Sequence, residues 1–295
     1  LLFILFFLNS LISSFLVGQV GPEVNWVKAL YGSKRDNVFQ VLPATDGGSY
    51  ILGNSDSYDG DFNFCTSCKK DVQGIVIKLD EEGKIKWSKS PIISDLYDGF
   101  WSAAVEVNDG LIIAGYSREH FPGVGSTDYS VVKLNKFDGS LIWRKSIKDF
   151  PSDNLNGAAI VNTSEGFILL GYKWSELFLI RLSQQGDEIA RRVISNSYMN
   201  DNFTGRPNVH NFIQKTSDNN FLILGCTPMD EKGCFWGEGT DKFNVKLTKI
   251  GLNLNTIWEK NYGGPTSDSP RDMVLTPNGE IIILGSSCGE DGEQK

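Results

Sequence analysis

Thr45-Asp46-Gly47-Gly48-Ser49-Tyr50-Ile51-Leu52-Gly53 is a tight-turn signal running into a short apolar strand that stops on a glycine. The same sentence returns as Asn108-Asp109-Gly110 before Leu111-Ile112-Ile113-Ala114-Gly115, and as Ser164-Glu165-Gly166 before Phe167-Ile168-Leu169-Leu170-Gly171. It appears again as Ser217-Asp218-Asn219-Asn220 before Phe221-Leu222-Ile223-Leu224-Gly225, and as Pro277-Asn278-Gly279 before Ile281-Ile282-Ile283-Leu284-Gly285. Asp-Gly and Asn-Gly supply the positive φ angles of tight hairpins, so each copy marks a strand–turn–strand unit. The closing glycines at 53, 115, 171, 225 and 285 set a period of 54–62 residues.

A second landmark follows inside each period. Ile75-Val76-Ile77-Lys78-Leu79 leads through Asp80-Glu81-Glu82-Gly83 to Ile85-Lys86-Trp87. Val131-Val132-Lys133-Leu134, Phe137-Asp138-Gly139 and Leu141-Ile142-Trp143 repeat it. The third copy runs from Phe178-Leu179-Ile180-Arg181-Leu182 to Gly186 and Ile189-Ala190, where the Trp is lost; the fourth is read as Val245-Lys246-Leu247, Gly251 and Ile257-Trp258, with extra turn residues. Trp26 heads the first unit, and Trp258-Glu259-Lys260-Asn261-Tyr262-Gly263-Gly264 opens the last.

Two hairpins per period make about four short strands, the content of a β-propeller blade. The sequence therefore predicts an all-β propeller with blades near 25–87, 88–143, 144–190 and 191–258 and a partial fifth, over a repeat region of 25–295. A tandem array of β-sandwiches is the alternative fold. Helical periodicity with caps is nowhere present, which excludes helical solenoids. With a fifth unit that breaks off, the chain reads as a fragment of a larger ring.

The recurring pattern Trp-x-Lys…Gly…Asp…Thr-x-Asp-Gly-Gly…Gly…Lys-Leu-Asp-x-x-Gly-x-x-x-Trp resembles the secreted β-propeller repeat proteins of gliding and type IX-secreting bacteria. Trp26, Lys28, Gly32, Ser33, Asp36, Thr45, Asp46, Gly47, Gly48, Gly53, Lys78, Leu79, Asp80, Gly83 and Trp87 follow it. The resemblance implies export, often within a large protein carrying a C-terminal sorting domain, and assigns no activity. The Asp-x-x-Gly-x-x-x-Trp element is also similar to the Trp-docking motif of quinoprotein propellers, where the Trp packs between neighbouring blades. A quinone cofactor would need acidic, amide and basic residues lining the funnel, and no such set stands out in the sequence.

Residues 1–17 carry no charge and are interrupted by Asn9, Ser10, Ser13 and Ser14. That is short for a bilayer span of about 20 apolar residues. It reads as the core of a signal peptide over 1–19 whose basic n-region is missing, so secretion or a cell-surface location is expected and a stable membrane span is not. A net charge of −8, from 28 basic and 36 acidic residues, argues against a nucleic-acid partner.

Candidate site residues are few. Asp56, Asp59 and Asp61 place oxygen ligands in a Gly-containing loop that would suit calcium, although the spacing is not that of an EF-hand and such loops are ordinarily just solvated. Cys65 with Cys68 and Cys226 with Cys234 are disulfide candidates in an exported chain, with Cys288 left over; a zinc site is the other use of Cys65-Thr66-Ser67-Cys68. Trp174, Phe235 and Trp236 fall outside the regular Trp position and are candidate ligand contacts. There is no Gly-x-Ser-x-Gly elbow, and His120 and His210 are the only histidines. The leading function is thus a non-catalytic scaffold binding protein or glycan at the cell surface through its loops. The alternatives are a quinoprotein-like oxidoreductase, a glycan-active hydrolase working in the central funnel, or an accessory region of a larger secreted enzyme.

Overall fold

The structure is a computed structural model; it describes residues 25–62, 73–91, 97–121, 124–147, 155–173, 176–198, 212–228, 243–264 and 268–287. The first blade is β1 (Asp36–Pro43), β2 (Ser49–Ser55), β3 (Gln73–Leu79) and β4 (Ile85–Lys89), hydrogen-bonded antiparallel in chain order. The second is β5 (Tyr97–Val107), β6 (Gly110–Phe121), β7 (Val124–Leu134) and β8 (Leu141–Ile147). The third is β9 (Leu155–Asn162), β10 (Gly166–Lys173), β11 (Glu176–Ser183) and β12 (Glu188–Tyr198). The fourth is β13 (Ile213–Lys215), β14 (Phe221–Pro228), β15 (Phe243–Ile250) and β16 (Thr256–Tyr262). A hairpin of β17 (Asp268–Leu275) and β18 (Ile281–Ser287) begins a fifth. One bridge, Tyr198 to Cys226, joins the third and fourth blades into a single sheet.

Each blade buries both faces, which is why its second strand reads as an unbroken apolar run rather than an alternating one. Leu111 and Ile113 of β6 point toward the first blade and pack with Tyr50, Leu52 and Val76, while Ile112 and Ala114 pack with Phe167 and Leu169 of the third. In β10 the same division sends Phe167 and Leu169 one way and Ile168 and Leu170 the other, toward the fourth blade. Successive four-stranded sheets stacked face to face in chain order define a β-propeller and dispose of the sandwich array. On the fifth hairpin Met273 packs with the fourth blade, whereas Val274, Ile282 and Leu284 on the opposite side are 51%, 55% and 63% exposed.

The repeated glycine has a steric cause. Gly53, Gly115, Gly171 and Gly285 pair with Val38, Trp101, Ala158 and Pro270 on the first strand of the same blade, and each pairing sits at a register shift. At Gly53 and Gly285 the bulged first strand lies over the second, so a Cβ would meet the Asn37 or Ser269 carbonyl oxygen, whereas at Gly171 it would meet the rings of Phe178 and Tyr129.

The repeated Trp is a lock between blades. Trp87 donates its Nε1–H to the Lys136 carbonyl at 3.1 Å, and its ring covers the positive-φ Gly139 in the third-to-fourth-strand turn of the next blade. Trp143 covers Gly186 in the same way, and Trp26 donates to the Glu81 carbonyl at 2.8 Å and covers Gly83. The fourth strands run beyond the boundaries expected from these Trp residues, to Lys89, Ile147, Tyr198 and Tyr262. In the fourth blade the counterpart of Lys78 is Lys249, not Lys246. The turn bonds Gly251 N–H to Asn255 and Leu254 N–H to Gly251 match those of Asp80 to Lys84 and Gly83 to Asp80, so the turn holds no extra residues. Lys246 is instead a buried cation 3.1 Å from Glu259.

Candidate functional site

An antiparallel four-stranded blade has two ends. First-to-second and third-to-fourth turns lie at one end, and second-to-third connections and blade crossings at the other. At the first end the turns are short and repetitive. At the other end β2 and β3 are separated by residues 56–72 and β14 and β15 by 229–242, while β6 and β7, and β10 and β11, are two residues apart. All the candidate site residues belong to these second-to-third connections except Cys226, which is buried in β14, and Cys288, which follows β18. Cys65, Cys68, Cys234, Cys288, Trp174, Phe235 and Trp236 lie outside the described residues, as does the signal-like segment 1–19.

Asp56, Asp59 and Asp61 are described, and their carboxylates go to different partners. Asp59 Oδ1 accepts the Ser33 backbone N–H at 2.8 Å, and Asp61 Oδ2 accepts that of Tyr31 at 3.1 Å. Asp56 pairs with Arg35 at 3.2 Å, and Asp61 lies 3.9 Å from Lys28. Asp36 joins the set from β1: its Oδ2 accepts the Gly32 N–H at 3.0 Å and its Oδ1 the Ser55 hydroxyl. The Ser33 hydrogen bonds hold the Asp59 carboxyl below its usual value. Among the described residues no group of three or more His, Cys, Asp or Glu side chains is placed to hold one metal ion. In the structure these acids clasp the segment 31–36 onto the first blade, terminating backbone N–H groups that no strand partner takes. Behind them Gln73 donates to the Ser57 carbonyl at 2.6 Å from a buried position.

The opposite end carries an ion pair in each complete blade. Lys78 with Asp46, Lys133 with Asp109, Arg181 with Glu165, and Lys249 with Asp218 join the third strand to the first-to-second turn. The second landmark in the sequence contains Lys78, Lys133 and Arg181 but not Lys249, and the four acids look there like ordinary turn residues. Lys78 is the deepest: its side chain is 2% exposed, its ammonium is 2.5 Å from Asp46 and 4.6 Å from the centre of the Tyr50 ring. Hydrogen bonds from Lys78, Lys133 and Lys249 respectively hold the Asp46, Asp109 and Asp218 carboxyls below the usual range. A carboxyl whose folded pKa is depressed contributes stability above its unfolded value and loses it as pH falls through the folded one. Stability should therefore be level at neutral pH and fall below about pH 4, and Asp46→Asn should flatten that decline in urea titrations read at several pH values. Asp46→Ala should cost about 2 kcal/mol, since it strands a buried ammonium; half-exposure of the aspartate keeps the cost below that of a fully buried pair. Asp109→Ala should cost under about 1 kcal/mol, and equal costs for the two would show that burial of the lysine is not what matters.

Fold and junctions together define the chain as a β-propeller whose blades are locked by Trp-on-turn contacts. No family model matches it, and no curated protein does. Among solved structures it is similar to a GH43 endo-arabinanase from Bacillus licheniformis, at 11% identity and a TM-score of 0.39, over 85% of this chain and 93% of that one. It is also similar to a putative hydrolase from Bacteroides ovatus, at 11% identity and a TM-score of 0.39, over 88% of this chain and 81% of that one. A GH32 β-fructofuranosidase from Bombyx mori matches at 10% identity and a TM-score of 0.38, over 87% of this chain and 58% of its own length. At that level of likeness none of their activities passes to this chain. Among the described residues no helix is long and apolar enough to cross a membrane.

Proposed function

We propose that the chain is an exported, non-catalytic β-propeller of the secreted repeat type, binding a protein or glycan partner at the cell surface. The partner meets the end of the blades that carries the second-to-third connections. The observation that carries this reading is the asymmetry between the two ends. One end repeats the same short turn and the same internal ion pair from blade to blade, whereas the other concentrates the variation in length, at 56–72 and 229–242. Variable loops on a rigid frame are where recognition is ordinarily built.

The test is binding of the purified chain to fixed whole cells of the source organism, before and after residues 63–72 and 229–242 are each replaced by a Gly-Ser linker. Loss of binding with an unchanged melting temperature is expected, together with no release of aryl alcohol from aryl glycosides. Undiminished binding by the loop-replaced chain, or turnover of a glycoside, would overturn the reading.

A further inference from the structure

The turn end of the ring holds a cleft of about 670 Å³ between the first three blades. That is within the roughly 300–1,000 Å³ of small-ligand pockets. Its walls come from Thr45 of the first blade, Glu106, Asn108 and Lys136 of the second, and Asn162 and Gln184 of the third. None of this belongs to the loop end argued above.

Its charges are already spent on one another. Glu106 Oε1 accepts the Thr45 hydroxyl at 2.6 Å and lies 3.2 Å from Lys136 Nζ, while Oε2 accepts the Thr45 N–H at 2.8 Å. Asp109 is 2.6 Å from Lys133, which lines the same cleft. Burial raises the Glu106 carboxyl, but the Thr45 and Lys136 bonds outweigh it and leave it below its usual value. Two carboxylates and two ammonium groups therefore face the cleft as closed pairs with no net charge. What remains open is amide: the side chains of Asn108, Asn162 and Gln184 line the cleft without a hydrogen-bond partner among the described residues. Each presents a donor and an acceptor together, the match for a pair of neighbouring hydroxyls, which also donate and accept.

We infer that this cleft binds a neutral oligosaccharide, held by the Asn162 and Gln184 amides. An acidic glycan would meet carboxylates and gain no free cation, and a cationic ligand would meet ammonium groups. The source of the sugar, whether the cell's own envelope or a foreign polymer, is left to the test.

Calorimetric titration of the full chain with maltohexaose, cellohexaose, xylohexaose and mannohexaose, against hexagalacturonate as the acidic comparison, decides it. Saturable binding of at least one neutral hexasaccharide is expected. Asn162→Ala with Gln184→Ala should weaken that binding at least tenfold at an unchanged melting temperature, both side chains being exposed. Gln184→Glu, which keeps the shape and adds a charge, should weaken it as well. No saturable binding of any neutral hexasaccharide, equal binding by the double variant, or preference for hexagalacturonate would each refute the assignment. The loop-replaced chain keeps the cleft, so it should still bind sugar, and failure of one reading leaves the other standing.

Discussion

Ala190→Trp is expected to destabilise the protein by about 3 kcal/mol, although it restores the residue found at the same place in the other complete blades. Residue 190 is where Trp87 and Trp143 stand in the two preceding blades. Those rings cover a glycine of the next turn so closely that a Cβ on Gly139 or Gly186 would come within 2.7 or 2.6 Å of the indole. The fourth blade has no such glycine. Leu254 occupies the equivalent position at φ 65°, where a leucine is strained, and its side chain is only 1% exposed. It packs into the core that Ala190 adjoins. A large residue over a glycine has become a small residue under a leucine, and the junction keeps its volume. The lost indole hydrogen bond has a substitute too: Arg192, two residues on, donates to the Leu254 carbonyl and, at 2.9 Å, to the Thr256 hydroxyl.

Leu254→Gly alone should also cost about 3 kcal/mol, the cavity left by a buried leucine less the relief of its left-handed backbone. The double variant Ala190→Trp/Leu254→Gly should return to within about 1 kcal/mol of the parent, a coupling far outside the few tenths seen between independent sites. Urea midpoints of the four proteins give the cycle directly. If Ala190→Trp is tolerated by itself, or the two losses simply add, the indole-for-leucine exchange is not what fills this junction.

The exchange also shows what the sequence could reveal. The loss of Trp at Ala190 was visible, but its compensation was not, because Leu254 is 64 residues away and resembles any apolar turn residue. What could be read were the signals that each blade repeats: the Asp-Gly turns, the apolar second strands and the Trp positions. These suffice for blade number and order. The first strands share no common pattern, β1, β5 and β9 being bulged, and the blade boundaries ran several residues short because the fourth strands continue past the Trp positions taken as their ends. Reading Lys246 as the partner of Lys78 failed for a similar reason. Both Lys246 and Lys249 lie in one strand, and only the turn hydrogen bonds tell which of them aligns. The cleft was illegible altogether. It draws single amides, Asn108, Asn162 and Gln184, from three separate places in the second and third blades, and no one turn looks unusual.

Gly53→Ala is the second large effect, and it tests the residue that defines the repeat. A Cβ at position 53 would lie 2.0 Å from the Asn37 carbonyl oxygen and 3.2 Å from the Val38 Cα. Both are backbone, so no rotamer change removes the clash. The first strand would have to withdraw, opening the bulge between Val38 and Gln40. Its neighbour contact would go with it, because Gln40 Oε1 accepts the Ala104 N–H of the second blade at 2.8 Å. A loss of about 3 kcal/mol or more is expected, at the upper end for a single added methyl. The cost does not come from backbone dihedrals, since the positive-φ glycines lie in turns and crossings and Gly53 is not among them. Gly264→Ala is the matched control: nothing lies within 4 Å of a Cβ there, and the change should stay within about 0.5 kcal/mol. Amide hydrogen exchange would localise the damage, with faster exchange in β1 and in the Ala104 N–H and no change in the third and fourth blades. Equal stability of the two variants would mean that the recurring glycine serves no steric purpose, and the bulge would need another cause.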